Sequence, residues 1–104
     1  MKLTQEQKKR FRTIGHQLSP VVTVADKGLS DSVMAEIQRA LSDHELIKVK
    51  IVAEDREDKK TIIDTIIEQS SATLVQQVGH IALLLKKCKE PNPKLSNISR
   101  FSHL

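Results

Sequence analysis

Apolar positions along the chain fall into helical stripes and strand-like runs that alternate through most of its length. Thr4-Gln5-Glu6-Gln7 has the form of a capping box, with Thr4 ahead of the first turn and Gln7 three residues on. The helix it opens places Phe11, Ile14 and Leu18 on one stripe, with Lys8, Lys9 and Arg12 mostly off it. Pro20 ends this helix and pushes Ser19 out of the helical region. Residues 21–24 are β-branched throughout and predict a strand. Asp26-Lys27-Gly28 predicts a loop in which Gly28 supplies a positive φ. Ser30 is a good N-cap for a second helix, whose apolar face is Val33, Met34, Ile37, Ala40 and Leu41.

Residues 42–45 break the pattern, and 46–52 alternate, with Ile47, Val49 and Ile51 on one face and Lys48 and Lys50 on the other. The acidic run 54–58 suits the positive end of a helix dipole and opens a third helix that buries Ile62, Ile63, Ile66 and Ile67. Residues 73–78 and 81–87 predict two strands joined by Gly79-His80, with Gly first as a type II′ turn prefers. Beyond Cys88, Pro91, Pro93 and scattered Ser and Asn leave no period. The expectation is one domain over 1–88 and a mobile basic tail over 89–104, in which Ile98 and Phe101 are the residues able to dock. The order α-β-α-β-α-β-β predicts a two-layer α/β fold, a mixed four-stranded sheet with helices packed against it.

Composition narrows the function. The 104 residues, 38% hydrophobic and 29% charged, fit one globular domain. The longest apolar run, 81–85, is far short of the roughly 20 residues that span a bilayer. No apolar stretch follows the N-terminal charge, so no secretory signal is expected, and the single Cys88 suits the cytoplasm. With no Trp, no Tyr and only Phe11 and Phe101, aromatic stacking platforms are not expected. The net charge of +4 is segregated. Residues 1–16 hold five basic side chains against Glu6, and residues 86–104 hold five against Glu90, while the segment between them is net acidic. Segregation of this kind points to a partner of opposite sign, a nucleic acid or an acidic protein.

No G-x-S-x-G elbow, P-loop or G-x-G-x-x-G occurs, and His16, His44, His80 and His103 lie in separate segments without metal spacing. Lys86 and Lys87 beside Cys88 would favour its thiolate, but an incidental thiol at a strand end is the simpler reading. An enzyme, a resident metal and a cofactor are therefore not expected. The two-layer expectation leaves the Lys48 and Lys50 face in water, with two ammonium groups about 7 Å apart along the strand, near one phosphate spacing. The loop before Ser30 leads into a helix N-terminus, where Lys27 adds charge and Gly28 lets the backbone approach an anion.

Gly15-His16-x-Leu18-x-Pro20-Val21-Val22, then Gly28-Leu29, then His44-Glu45-Leu46-Ile47-Lys48-Val49-Lys50 with Glu54-Asp55-Arg56-Glu57, resemble the CRM-domain family, especially its small bacterial YhbY-like members. The resemblance runs in order over roughly residues 3–87. It implies a fold similar to the C-terminal domain of translation initiation factor three, RNA binding, and association with precursors of the large ribosomal subunit. The family's G-x-x-G loop, comparable to the backbone clamp of KH domains, reads Ala25-Asp26-Lys27-Gly28 here, without its first glycine. Leu85-Lys86 stands where the family tends to end its last strand in Tyr-Arg.

The expectation is a non-enzymatic cytoplasmic protein that docks on structured ribosomal RNA through phosphates and assists assembly of the large subunit. Lys8, Lys9, Arg12, Lys27, Gly28, Lys48 and Lys50 are the expected contacts, with His16, Lys86 and Lys87 extending the patch. It would act as a monomer, with no membrane and no small-molecule substrate. The rival reading is a protein-interaction module whose basic ends bind an acidic protein.

Overall fold

The computed structural model describes residues 3–25 and 28–104. Helix α1 spans Gln5–Gly15 and starts on the expected capping box: Gln7 N–H donates to Thr4 Oγ1 at 3.1 Å and Thr4 N–H to Gln7 Oε1 at 2.9 Å. Strand β1 is Pro20–Val24. Helix α2, Asp31–His44, is capped by Ser30, whose hydroxyl accepts from Val33 N–H at 3.2 Å. Strand β2 is Leu46–Ile51, and α3, Arg56–Ser70, is capped by Asp55. Strands β3 (Thr73–Val78) and β4 (Ile81–Leu85) form the hairpin, and Gly79 takes φ +58 in its two-residue turn. A short helix α4, Asn97–Arg100, closes the chain.

The sheet order is β1-β2-β4-β3, with β1 and β2 parallel and the other pairs antiparallel. Alternation along β2 sends Ile47, Val49 and Ile51 to the same face as Val22, Val24, Ala82 and Leu84, under Met34, Ile37 and Leu41 of α2 and Ile63 and Ile66 of α3. On the opposite face Leu46, Val75, Leu83 and Leu85 meet Phe11 and Ile14 of α1 and Leu3 before it.

Helices therefore cover both faces, and α1 with α4 adds a partial third layer to the two expected. The cause lies in β4, which reads Ile-Ala-Leu-Leu-Leu without alternation. A strand apolar on both sides must be covered on both. Contact is close: a Cβ on Gly15 would sit 2.8 Å from Leu83 Cδ2.

The C-terminal segment also departs from expectation. Rather than a mobile tail over 89–104, Ser96 and Asn97 are buried against the start of β2. The Ser96 hydroxyl donates to Glu45 Oε1 at 2.6 Å, Asn97 Nδ2 to the Leu46 carbonyl at 2.7 Å, and His44 Nδ1 to the Leu95 carbonyl at 2.8 Å. Ile98 and Phe101 pack beside the α1 core, the docking open to them in the sequence. These polar contacts, rather than periodicity, hold the segment, and periodicity is what a sequence reading detects.

Candidate nucleic-acid interface

The α1 side of the sheet is only partly covered. α1 packs over β2 and β3 near the Leu46 and Leu85 end. Towards the hairpin it leaves Lys50 exposed, with Thr23 beside it on β1 and Ile81 opposite on β4. Lys48, one alternation earlier, is half-buried rather than fully in water, because α1 ends beside it. A long cationic side chain so placed can bury its stem and keep its ammonium in solvent.

Two clefts of about 260 Å³ each share Lys48 in their walls. One is lined by His16 from the end of α1 and by Gln76, Val78, Ile81 and Leu83. The other opens between the α1–β1 connection and α4, with Leu18, Val21, Arg100 and Phe101 in its lining. Val21 and Val78 are 49% and 63% exposed, so this strip of sheet is apolar as well as basic.

On α1, Lys8, Arg12 and His16 recur every four residues and so lie on one line of the helix. His16 keeps helical backbone geometry as the C-cap and its N–H reaches the Arg12 carbonyl at 3.1 Å, which extends the line to Lys48. Lys9 lies on the neighbouring line with Thr13, whose hydroxyl donates to the Lys9 carbonyl at 3.0 Å. α4 packs against α1, so Arg100 of the basic C-terminal segment lies on the α1 side of the molecule.

The remaining expected residues lie further away. Gly28, at φ +78, follows the C-terminal end of β1, and its N–H donates to the Ala25 carbonyl at 2.8 Å. Ala25 and Gly28 border a cleft of about 430 Å³ that also holds Glu54 and Asp58, carboxylates that oppose a phosphate there. Lys27 lies outside the described residues. Lys86 and Lys87 are exposed beyond β4, at the end of the sheet opposite the hairpin and Gly28. Lys86 N–H donates to the Glu45 carbonyl at 2.8 Å.

Cys88 sits behind the docked segment, where its thiol lies 3.4 Å from the Ser42 carbonyl and its N–H donates to Glu45 Oε2 at 2.7 Å. Burial pushes the thiol pKa up, the Glu45 carboxylate adds to the rise, and Lys86 opposes it. Among the described residues no group of three or more His, Cys, Asp or Glu side chains is placed to hold a metal ion. No helix among them is long and apolar enough to cross a membrane.

Arg100 and Asn97 were not legible as site residues. The available signals were Ser96 as an N-cap and the spacing of Ile98 and Phe101 by three, too short a pattern to define a helix.

A four-stranded mixed sheet with a basic helix across one end of its open face defines a class of small α/β binding domain. The chain belongs to the CRS1/YhbY (CRM) domain family, whose model matches residues 3–86. It is 53% identical over 102 residues to a protein of Pseudomonas aeruginosa named a probable RNA-binding protein, covering 98% of both chains. It is 42% identical over 93 residues to an RNA-binding protein of Haemophilus influenzae, covering 89% of this chain and 94% of that one. The solution structure of a hypothetical protein from Staphylococcus aureus superposes with a TM-score of 0.74 at 29% identity, covering 86% of this chain and 93% of the other.

Proposed function

We propose that the chain binds structured RNA without catalysis, through phosphates docked on the α1 side of the sheet. The observation that carries this is the position of Lys48. It lies between two clefts, two residues from exposed Lys50 and at the end of the line Lys8, Arg12, His16. Cations placed along a groove track a phosphate backbone and read little sequence. The names of the Pseudomonas and Haemophilus relatives support RNA as the partner. Lys9 broadens the site, and Lys86 and Lys87 mark its far end.

The RNA is taken to be ribosomal RNA of the large-subunit precursor, in the cytoplasm, with the protein assisting assembly as a monomer; the family resemblance supports this step. The test is sedimentation of cell extract on a ribosome gradient. Migration with large-subunit precursors, released by high salt, is expected. Migration elsewhere with RNA still bound overturns the ribosomal assignment. A purified protein that binds no RNA at low salt overturns the whole reading. With no Trp or Tyr, carried RNA is seen directly as a raised ratio of 260 to 280 nm absorbance.

A further inference from the structure

The cleft between the α1–β1 connection, β2 and α4 has a chemistry that phosphate docking does not use. Its volume, about 260 Å³, falls just below the range of roughly 300–1,000 Å³ that holds drug-sized ligands, and suits one small planar group. Leu18 and Val21 give it apolar walls, and Lys48 gives it a cation at the rim. Phe101, one of two aromatic side chains counted in the sequence, lines it, half-buried, and the Arg100 guanidinium carbon lies 5.5 Å from the centre of its ring. Arg100 is steadied by Asn97: its Nη1 donates to Asn97 Oδ1 at 3.4 Å, while Asn97 Nδ2 is fixed on the Leu46 carbonyl.

Planar apolar surface, a planar cation and a point charge within one small cleft match the three parts of a nucleotide. The ring and guanidinium suit the flat faces of a base, and the ammonium suits its phosphate. Unpaired bases in RNA are the ones free to enter such a cleft.

We propose that this cleft holds one unpaired nucleotide of the bound RNA, with the base against Phe101 and Arg100 and the phosphate at Lys48. The proposal rests on the RNA-binding reading and adds a subsite to it. Residues 95–101 lie beyond the part of the chain that the family model matches, so the aromatic and guanidinium side of the subsite comes from the C-terminal segment. It gives that segment a function besides packing. It also adds to docking that reads little sequence a preference for a stem interrupted by an unpaired residue.

The test uses a short RNA hairpin with one unpaired 2-aminopurine nucleotide in its stem, and the same hairpin fully paired, each titrated with the full-length protein at one salt concentration. The unpaired form is expected to bind on the order of tenfold more tightly, the scale of one base stacked on a protein side chain. Its fluorescence should change on binding. Phe101→Leu keeps apolar volume and removes the aromatic face; Arg100→Gln removes the guanidinium from an exposed position. Each is expected to cut the preference for the unpaired form to about twofold or less. Equal binding of the two hairpins by the wild type, or a preference that neither variant reduces, overturns the subsite and leaves the RNA-binding reading standing. Failure to bind either hairpin overturns both.

Discussion

Glu45 shows how a single residue can carry an architectural decision. It ends α2 at φ 61, ψ −46, a backbone region that costs a side-chain-bearing residue of order 1–3 kcal/mol. The conformation is held from four directions. Its N–H donates to the Leu41 carbonyl, its carbonyl accepts from Lys86, and its carboxylate accepts from Cys88 N–H and the Ser96 hydroxyl. Glu45→Ala is expected to destabilise the fold by on the order of 3 kcal/mol, since two hydrogen bonds to a charged acceptor are lost, and to release residues 95–101. Urea unfolding and amide exchange over the segment measure both effects. Glu45→Gln tests the electrostatics separately. The half-buried Cys88 thiol should alkylate more slowly than a free cysteine at pH 8, because desolvation and then Glu45 favour its neutral form. Removing the Glu45 charge should speed that reaction, and an unchanged rate would exclude the carboxylate as a cause. Gly15 makes a complementary point, since a methyl group there meets the buried Leu83. Gly15→Ala is expected to cost about 1–3 kcal/mol through overpacking, offset in part by helix propensity, and to displace His16 from the cleft it shares with Lys48. A thermal melt with an RNA affinity measurement checks both parts. Neither residue's role was legible beforehand. A positive φ at a glutamate leaves no sequence signal, and a helical glycine states its need for space only once the opposing strand is placed.

Elements were more legible than their packing. The capping box of α1, the Ser30 cap, the two-residue hairpin and the alternation of β2 are each decided within a few residues, and each stands as read. Which face of the sheet receives α1 depends on contacts distant in sequence, between Phe11 and Ile14 and the Leu83 and Leu85 side chains. The uniform apolar run of β4 was the available clue, and it distinguishes Lys48 from Lys50. Lys50→Ala should change stability by less than about 0.5 kcal/mol, as exposed substitutions usually do, whereas Lys48→Ala should cost somewhat more through its packed stem. Together they should weaken RNA binding by about tenfold or more, at about one decade for the loss of two charge-assisted contacts. A double variant that is fully folded and binds as wild type would remove β2 from the site.

At the scale of the molecule, α4 brings Arg100 of the basic C-terminal segment to the side of the basic first helix, while Lys86 and Lys87 stay at the end of the sheet opposite the hairpin. α4 packs on α1, and the net acidic middle of the chain supplies α2 and α3 on the other side of the sheet. The segregation of charge was plain in the sequence; the docking of α4 beside α1 was not, because it depends on a C-terminal segment held by Ser96 and Asn97. A phosphate-docking surface of about six contacts should give a log–log slope of RNA affinity against salt near −4 to −5, from roughly −0.7 to −0.9 per contact. Affinity that is flat between low and physiological salt would exclude counterion release as the driving force.

The central claim is that RNA lies on the α1 side of the sheet, and isotope-labelled protein titrated with a structured RNA tests it residue by residue. Amide shifts are expected to move at Arg12, His16, Thr23, Lys48 and Lys50 while those on the outer faces of α2 and α3 stay in place. Shifts confined to α2 and α3, or none at RNA concentrations that saturate binding by other measures, would contradict it.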